Sequence, residues 1–229
     1  MTNLCNQNIP GQVATKLAED KGCNPVTAVK YLNFNDIIED FNRNGSNLFR
    51  KVYQFDKKDY SAIYKTAVYA YQDQEHAKEL GIDLGKGLFI VGPIGCGKTS
   101  LMQLLQYMKI LPSPYHIVSV RDICLQFSEK GVKVIKEYGA TNQKQPPIFC
   151  FDDLGGEPIT RHYGSQTNVM QEILLSRYDL FVQKRIPTHV TTNLSASELE
   201  SKYGSRVRSR LREMFNLISF PADSYDKRR

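Results

Sequence analysis

Long hydrophobic runs are missing from this sequence, and so are close cysteine pairs, internal repeats and low-complexity tracts. No stretch approaches the roughly 18 consecutive apolar residues that a membrane span requires, and Met1 to Pro10 lack the basic-then-apolar layout of a signal peptide. A cytoplasmic protein with no membrane partner is expected. The five cysteines, Cys5, Cys23, Cys96, Cys124 and Cys150, form an odd set with no close pair, which argues against a disulfide framework and a C-x-x-C zinc ribbon. Their thiols are expected to be reduced.

What is present is an ordinary globular composition. The 229 residues, 41% hydrophobic and 24% charged, suffice for a sheet covered by helices on both faces, with a smaller attachment. Thirty Lys/Arg against 24 Asp/Glu leave a net charge of +6, and residues 200–229 carry eight basic against four acidic side chains, or +4 of it. Such an excess is either a solvated face or a surface for phosphate or nucleic acid.

Residues 1–58 differ from the rest, with scattered Asn42, Asn44, Gly45 and Asn47 and only short apolar clusters such as Ile37, Ile38 and Phe41. A short helical arm is expected there, followed by the main domain over residues 59–229. Ile63, Ala67, Val68 and Tyr71 recur at helical spacing, which predicts one helix over residues 59–80 stopped by Gly81. Beyond it, short apolar runs at 88–91, 115–120, 148–151, 187–192 and 216–220 alternate with amphipathic stretches near 98–109, 122–130, 166–184 and 197–213. Buried strands interleaved with helices make the fold class α/β with a parallel sheet.

Gly92-Pro93-Ile94-Gly95-Cys96-Gly97-Lys98-Thr99 satisfies G-x-x-x-x-G-K-[ST] between a strand and a helix that continues through Ser100. Glycines let successive N–H groups face phosphate oxygens, and the helix N-terminus favours the same charge. Lys98 would reach the β- and γ-phosphates of ATP, and the Thr99 hydroxyl would ligate Mg²⁺. Cys96 is either a redox-active thiol near a helix N-terminus or a small inert spacer.

The strand at 148–151 ends in Asp152 and Asp153. Beside the phosphate loop, Asp152 would hold Mg²⁺ through water and Asp153 would orient or deprotonate the attacking water; alone, two such acids are equally a cap or turn. If Asp153 takes a place more often held by Glu, its shorter side chain implies slow hydrolysis, with Glu157 the lesser alternative as base. Asn193, after His189 to Thr192, would report the γ-phosphate or lytic water, or serve as a turn residue beside the capping-box spacing of Ser195 and Glu198. In the segment from Gly204 to Arg212, a buried stripe of Val207, Leu211 and Met214 would leave Arg206 and Arg210 together on another face. That pair would meet surface acids, nucleic-acid backbone, or a neighbouring subunit's ATP site as an arginine finger.

Taken in order, the phosphate loop, Asp152-Asp153-Leu154-Gly155, Arg177-Tyr178, Thr191-Thr192-Asn193-Leu194, and Tyr203-Gly204-Ser205-Arg206 to Arg210-Leu211 resemble the DnaC/DnaI/IstB-like group of AAA+ ATPases over residues 59–220. The resemblance implies a P-loop NTPase core of five parallel strands in the order 5-1-4-3-2 with no C-terminal lid. It also implies ATP and Mg²⁺ bound between protomers, and assembly around DNA. Carried onto this chain, residues 92–99 are Walker A, Asp152 and Asp153 Walker B, Asn193 sensor 1, and Arg210 the arginine finger, with Arg206 as the near alternative.

The leading expectation is a helicase loader that binds single-stranded DNA and the replicative helicase, forms a homo-oligomer with ATP, and hydrolyses it slowly under DNA stimulation. An IstB-like transposition helper binding duplex DNA and a transposase shares every motif, while a small-molecule P-loop kinase fits the arginine helix less well. Lys130, Lys133 and Lys136 are either DNA contacts or a solvated helix face, with Tyr138 and Phe127 as candidate stacking aromatics, core packing being the favoured use of Phe127.

Overall fold

The computed structural model describes residues 33–139, 145–157, 160–162 and 165–227; for 160–162 and 165–167 the backbone alone is described. The chain divides into two units, residues 1–55 and 56–229. In the first unit, helix α1 (Phe34–Phe49) begins where the Asn33 side chain accepts from the Asn35 and Asp36 N–H groups. The Phe41 and Tyr53 rings lie 6.3 and 5.1 Å from Phe55, and the Asn42 side chain accepts from the Phe55 N–H, so the segment after the helix returns along it. The rest of the expected arm, residues 1–32, lies outside the described residues.

The second unit runs through a 3-10 turn (Lys57–Asp59), α2 (Tyr60–Ala70), α3 (Gln74–Glu79), β1 (Gly87–Val91), α4 (Lys98–Met108), β2 (Tyr115–Ser119), α5 (Val120–Lys130), α6 (Val132–Tyr138), β3 (Ile148–Leu154), a hairpin of β4 (Thr160–His162) and β5 (Ser165–Thr167), α7 (Val169–Lys184), β6 (His189–Thr192), α8 (Ala196–Met214) and β7 (Phe215–Ser219). The five longer strands pair in the order β2-β3-β6-β1-β7, all parallel. Counted within the sheet this is 2-3-4-1-5, the expected order read from the other edge. The hairpin is an element that the apolar pattern did not signal.

Both sheet faces are covered. Phe89, Phe149, Phe151, Val190 and Phe215 join side chains of α5, α7 and α8 in one core. Leu88 and Ile90, also fully buried, alternate with Phe89 and so face the opposite layer. The single helix expected over residues 59–80 is two. Gln72 turns left-handed at φ 55, and Asp73 starts a new helix by accepting from the His76 N–H, so a local cap overrides the helical spacing.

One buried cation fixes the strand entrances that face away from the phosphate loop. Arg177, fully buried on α7, donates to the carbonyls of Pro147 and Pro187 and to Thr188 Oγ1, at 2.9–3.1 Å, and lies over the Phe149 ring. Burial lowers its pKa to about 10, so it stays charged at neutral pH. Beside it the buried His189 Nδ1 accepts from the Leu88 N–H, and burial, reinforced by the Arg177 charge, holds its pKa down at about 3. Among the described residues no helix is long and apolar enough to cross a membrane.

Candidate active site

The phosphate loop hangs between β1 and α4 at the carboxyl end of the sheet. Its backbone turns through Gly95 and Gly97, at φ 78 and 103, values that side chains with a Cβ rarely take. No side chain caps α4, so the first N–H groups of that helix keep their capacity for an anion. Lys98 is buried, and its ammonium donates to the carbonyls of Gly92 and Pro93 at 2.8 and 2.9 Å. Pro93 and Ser100 are partly buried, and Ile94 is exposed at the tip. Cys96 is buried, and burial pushes its thiol pKa up against the pull of Lys98; of the two readings of this residue, the spacer fits.

Thr99 and Asp152, 53 residues apart, meet directly. The Thr99 hydroxyl lies 2.8 and 3.0 Å from the two Asp152 carboxylate oxygens, and the Thr191 hydroxyl donates to the same group at 2.6 Å. The next residue sits differently. Between Phe151 and Leu154 the β3–β6 register slips by one residue, and in that bulge Asp153 takes a left-handed φ of 61 and is exposed. Its N–H donates to Thr191 Oγ1 at 2.9 Å, so one threonine on β6 holds both neighbouring acids. Sequence reasoning quoted Thr191 within the segment Thr191-Thr192-Asn193-Leu194 but gave it no role; a hydroxyl-bearing strand beside an acidic strand end was the available signal.

The turn after Asp153 is tightly determined. Gly155 has φ 102, and a Cβ there would lie 2.4–2.5 Å from Leu194 side-chain atoms. Glu157, the lesser base candidate, has its carboxylate engaged: it accepts from the Gly155 N–H at 2.8 Å and from the Tyr203 hydroxyl, and lies 3.3 Å from the Lys202 ammonium. Asn193 is exposed at the end of β6, between Thr192 and Leu194, which share a hydrogen bond.

Helix α8 opens with the expected capping box of Ser195 and Glu198 and kinks at Gly204, where φ 82 and ψ 161 are not helical. Val207, Leu211 and Met214 are buried as the stripe predicts. The arginines divide by use. Arg208 pairs with Glu200, and the Arg210 guanidinium lies 4.7 Å from the centre of the Tyr178 ring, whose hydroxyl donates to Glu213. Arg206 and Arg212 are exposed. Among the described residues, neither Arg206 nor Arg210 bonds to the phosphate loop or to the paired acids of its own chain.

A further contact comes from the segment after β7. Asp59 is fully buried and accepts from the Ser224 hydroxyl at 2.7 Å and from the Lys227 ammonium. The Lys227 ammonium also donates to the Cys96 carbonyl at 2.8 Å, its N–H donates to the Gly95 carbonyl at 3.0 Å, and Asp226 lies against Gly95 so closely that a Cβ there would collide with its carboxylate. Residues 223–227 thus brace the loop from outside. This contact joins residues too distant in sequence for any local pattern to signal it.

Of the two stacking candidates Tyr138 is corrected, while Phe127 takes the core position favoured for it. Phe127 and Tyr138 are both buried, the latter packed against Phe149 with ring centres 5.3 Å apart, so neither presents a face to a base. Lys130, Lys133 and Lys136 are exposed.

The residues present fit a nucleotide with its metal. Open helix amides and a buried ammonium gather at one strand end, and a hydroxyl meets a carboxylate of the kind that Mg²⁺ prefers. The sequence pattern of the ATPase family associated with various cellular activities (AAA) matches residues 88–217. Among solved structures, the crystal structure of the DnaC helicase loader is similar at 19% identity and a TM-score of 0.52, covering 72% of this chain and 92% of that one. The crystal structure of DnaI is similar at 19% identity and a TM-score of 0.48, covering 72% of this chain and 86% of that one. No curated protein sequence matches the chain significantly.

Proposed function

This chain belongs to the AAA family of ATPases, and from that premise we propose that it is a helicase loader: an ATP-controlled homo-oligomer that binds single-stranded DNA and delivers the replicative helicase to it in the cytoplasm. The observation that carries the reading is the division of the site. The phosphate loop and Asp152 are assembled within one protomer, whereas Arg206 and Arg210 lie on a separate helix and bond to none of it. A small-molecule kinase has no use for that arrangement, while a ring or spiral ATPase does. A fold similar to that of the DnaC helicase loader supports the loader reading.

Residues 92–100 would hold the polyphosphate through N–H groups and the Lys98 ammonium. Thr99 and Asp152 would hold Mg²⁺, which when bound supplies positive charge against the phosphates. Asp153, exposed in its bulge, would orient the lytic water and take its proton, with Asn193 sensing the γ-phosphate end. A neighbour's Arg210 or Arg206 would stabilise the developing charge. Residues 1–58 would dock the helicase, and the lysines of α5 and α6 would follow DNA phosphates.

Co-purification with the host's replicative helicase, with and without ATP, tests the reading. A stable complex that responds to nucleotide is expected. Capture of a transposase in its place would select the transposition helper.

A further inference from the structure

The residue just past the paired acids ties two parts of the machinery together. Glu157 is nearly inaccessible, with a side chain 5% exposed, yet it is ionisable and lies in a turn. Its carboxylate closes that turn on the Gly155 N–H and reaches 46 residues along the chain to the Tyr203 hydroxyl. Lys202 completes the link, donating to the Gly155 carbonyl at 2.6 Å while lying 3.3 Å from the carboxylate. The same segment is held from another side by Asn168, whose side-chain amide donates to the Lys202 carbonyl at 3.0 Å. Burial, with the Glu157 charge adding to it, pushes the Tyr203 pKa well up, so the phenol stays protonated and keeps its donor.

What lies on either side of this clamp gives it meaning. On one side, two residues before Gly155, is Asp153 in its left-handed bulge. On the other, one residue after Tyr203, is the Gly204 kink, and the arginine half of α8 departs from there. Buried networks of this kind hold a single arrangement when every member is satisfied.

We infer that Glu157 is a positioning residue that ties the acid-bearing turn of one protomer, through Tyr203 and Lys202, to the arginines that the protomer presents to its neighbour. The inference rests on the shared-site reading of Arg206 and Arg210. A change in the Asp153 turn then alters the direction of the helix beyond Gly204, so a protomer's own nucleotide state reaches the adjoining site through packed, hydrogen-bonded groups.

The test separates a protomer's own site from the arginines it donates. One parent, Asp153→Asn, silences its own site while keeping its arginines; Asn tolerates the left-handed backbone. The other, Arg206→Ala/Arg210→Ala, keeps its own site but donates nothing. Mixed, the two are expected to regain hydrolysis where a donated arginine meets an intact site. Glu157→Gln is then added to the Asp153→Asn parent, where it has no hydrolysis of its own to impair. The expected result is a fall of about five- to tenfold in the restored rate, with ATP binding and assembly size unchanged. Tyr203→Phe, which removes only the donor hydroxyl, is expected to act in the same direction, and combining the two to add little. An unchanged restored rate in both variants overturns the inference, as does a fall that merely follows loss of assembly. Failure of the parents to restore hydrolysis would overturn the shared-site reading itself, and the inference with it.

Discussion

The phosphate-loop end of the sheet and the far half of α8 handle charge in opposite ways. At the loop three charged groups are engaged within the chain: Lys98 on two carbonyls, Asp152 between two threonine hydroxyls, Asp59 against Lys227. Beyond Gly204, Arg206 and Arg212 extend from the surface, and Arg210 rests on an aromatic ring in place of a carboxylate. A site that must bind a ligand alone has its groups held in place beforehand, because reorganisation would weaken binding. Groups meant for another molecule are left exposed.

The largest effect that would break this contrast is on turnover. Arg210→Ala should leave ATP affinity within about twofold while lowering hydrolysis by the assembled protein about a thousandfold. Wild-type turnover would transfer the role to Arg206 or remove it. Lys98→Ala should do the converse, weakening ATP binding about a hundredfold in calorimetric titration, in line with truncating a buried charged contact. Unchanged affinity would make the loop decorative. On stability, Lys227→Ala leaves the buried Asp59 charge without its cation and should cost about 3 kcal/mol in denaturant unfolding, with Asp59→Asn in the same chain recovering part of it.

The smallest expected effect depends on pH. His189 has a folded pKa of about 3, below its unfolded value of about 6.5, so only the unfolded chain binds that proton between those values. Stability is complete above about pH 6.5 and declines as pH falls toward 3, by about 2 kcal/mol at pH 5 from this residue. Protonation would also cost the bond that Nδ1 accepts from Leu88. Unfolding midpoints of His189→Gln, followed from pH 7 to 5, should lack that part of the slope.

Much of this architecture is legible in the chain. The five apolar runs fall on the five sheet strands because strands buried on both faces must be continuous in hydrophobicity. The order of those strands came only with the family resemblance, since periodicity says nothing of neighbours. The break at Gln72 escaped because a three-residue cap competes with a helical spacing that runs through it. The Walker motifs were readable as local patterns that the backbone itself must satisfy. Thr191, the Glu157–Tyr203 link and the brace at residues 223–227 were not, for each joins segments that folding alone brings together. Tyr138 was misjudged because an aromatic beside lysines has the same pattern whether it faces a base or Phe149.

The slip between Phe151 and Leu154 has an evolutionary corollary. Deleting the single residue Asp153 would restore an uninterrupted ladder between β3 and β6, with Asp152 retained opposite Thr191. A descendant could in this way give up the base proposed at Asp153 yet keep the acid proposed to hold the metal, through a loss of three nucleotides that makes the sheet more regular. On the proposed roles, descendants that bind ATP without hydrolysing it lie one in-frame deletion away, on a route that relieves backbone strain.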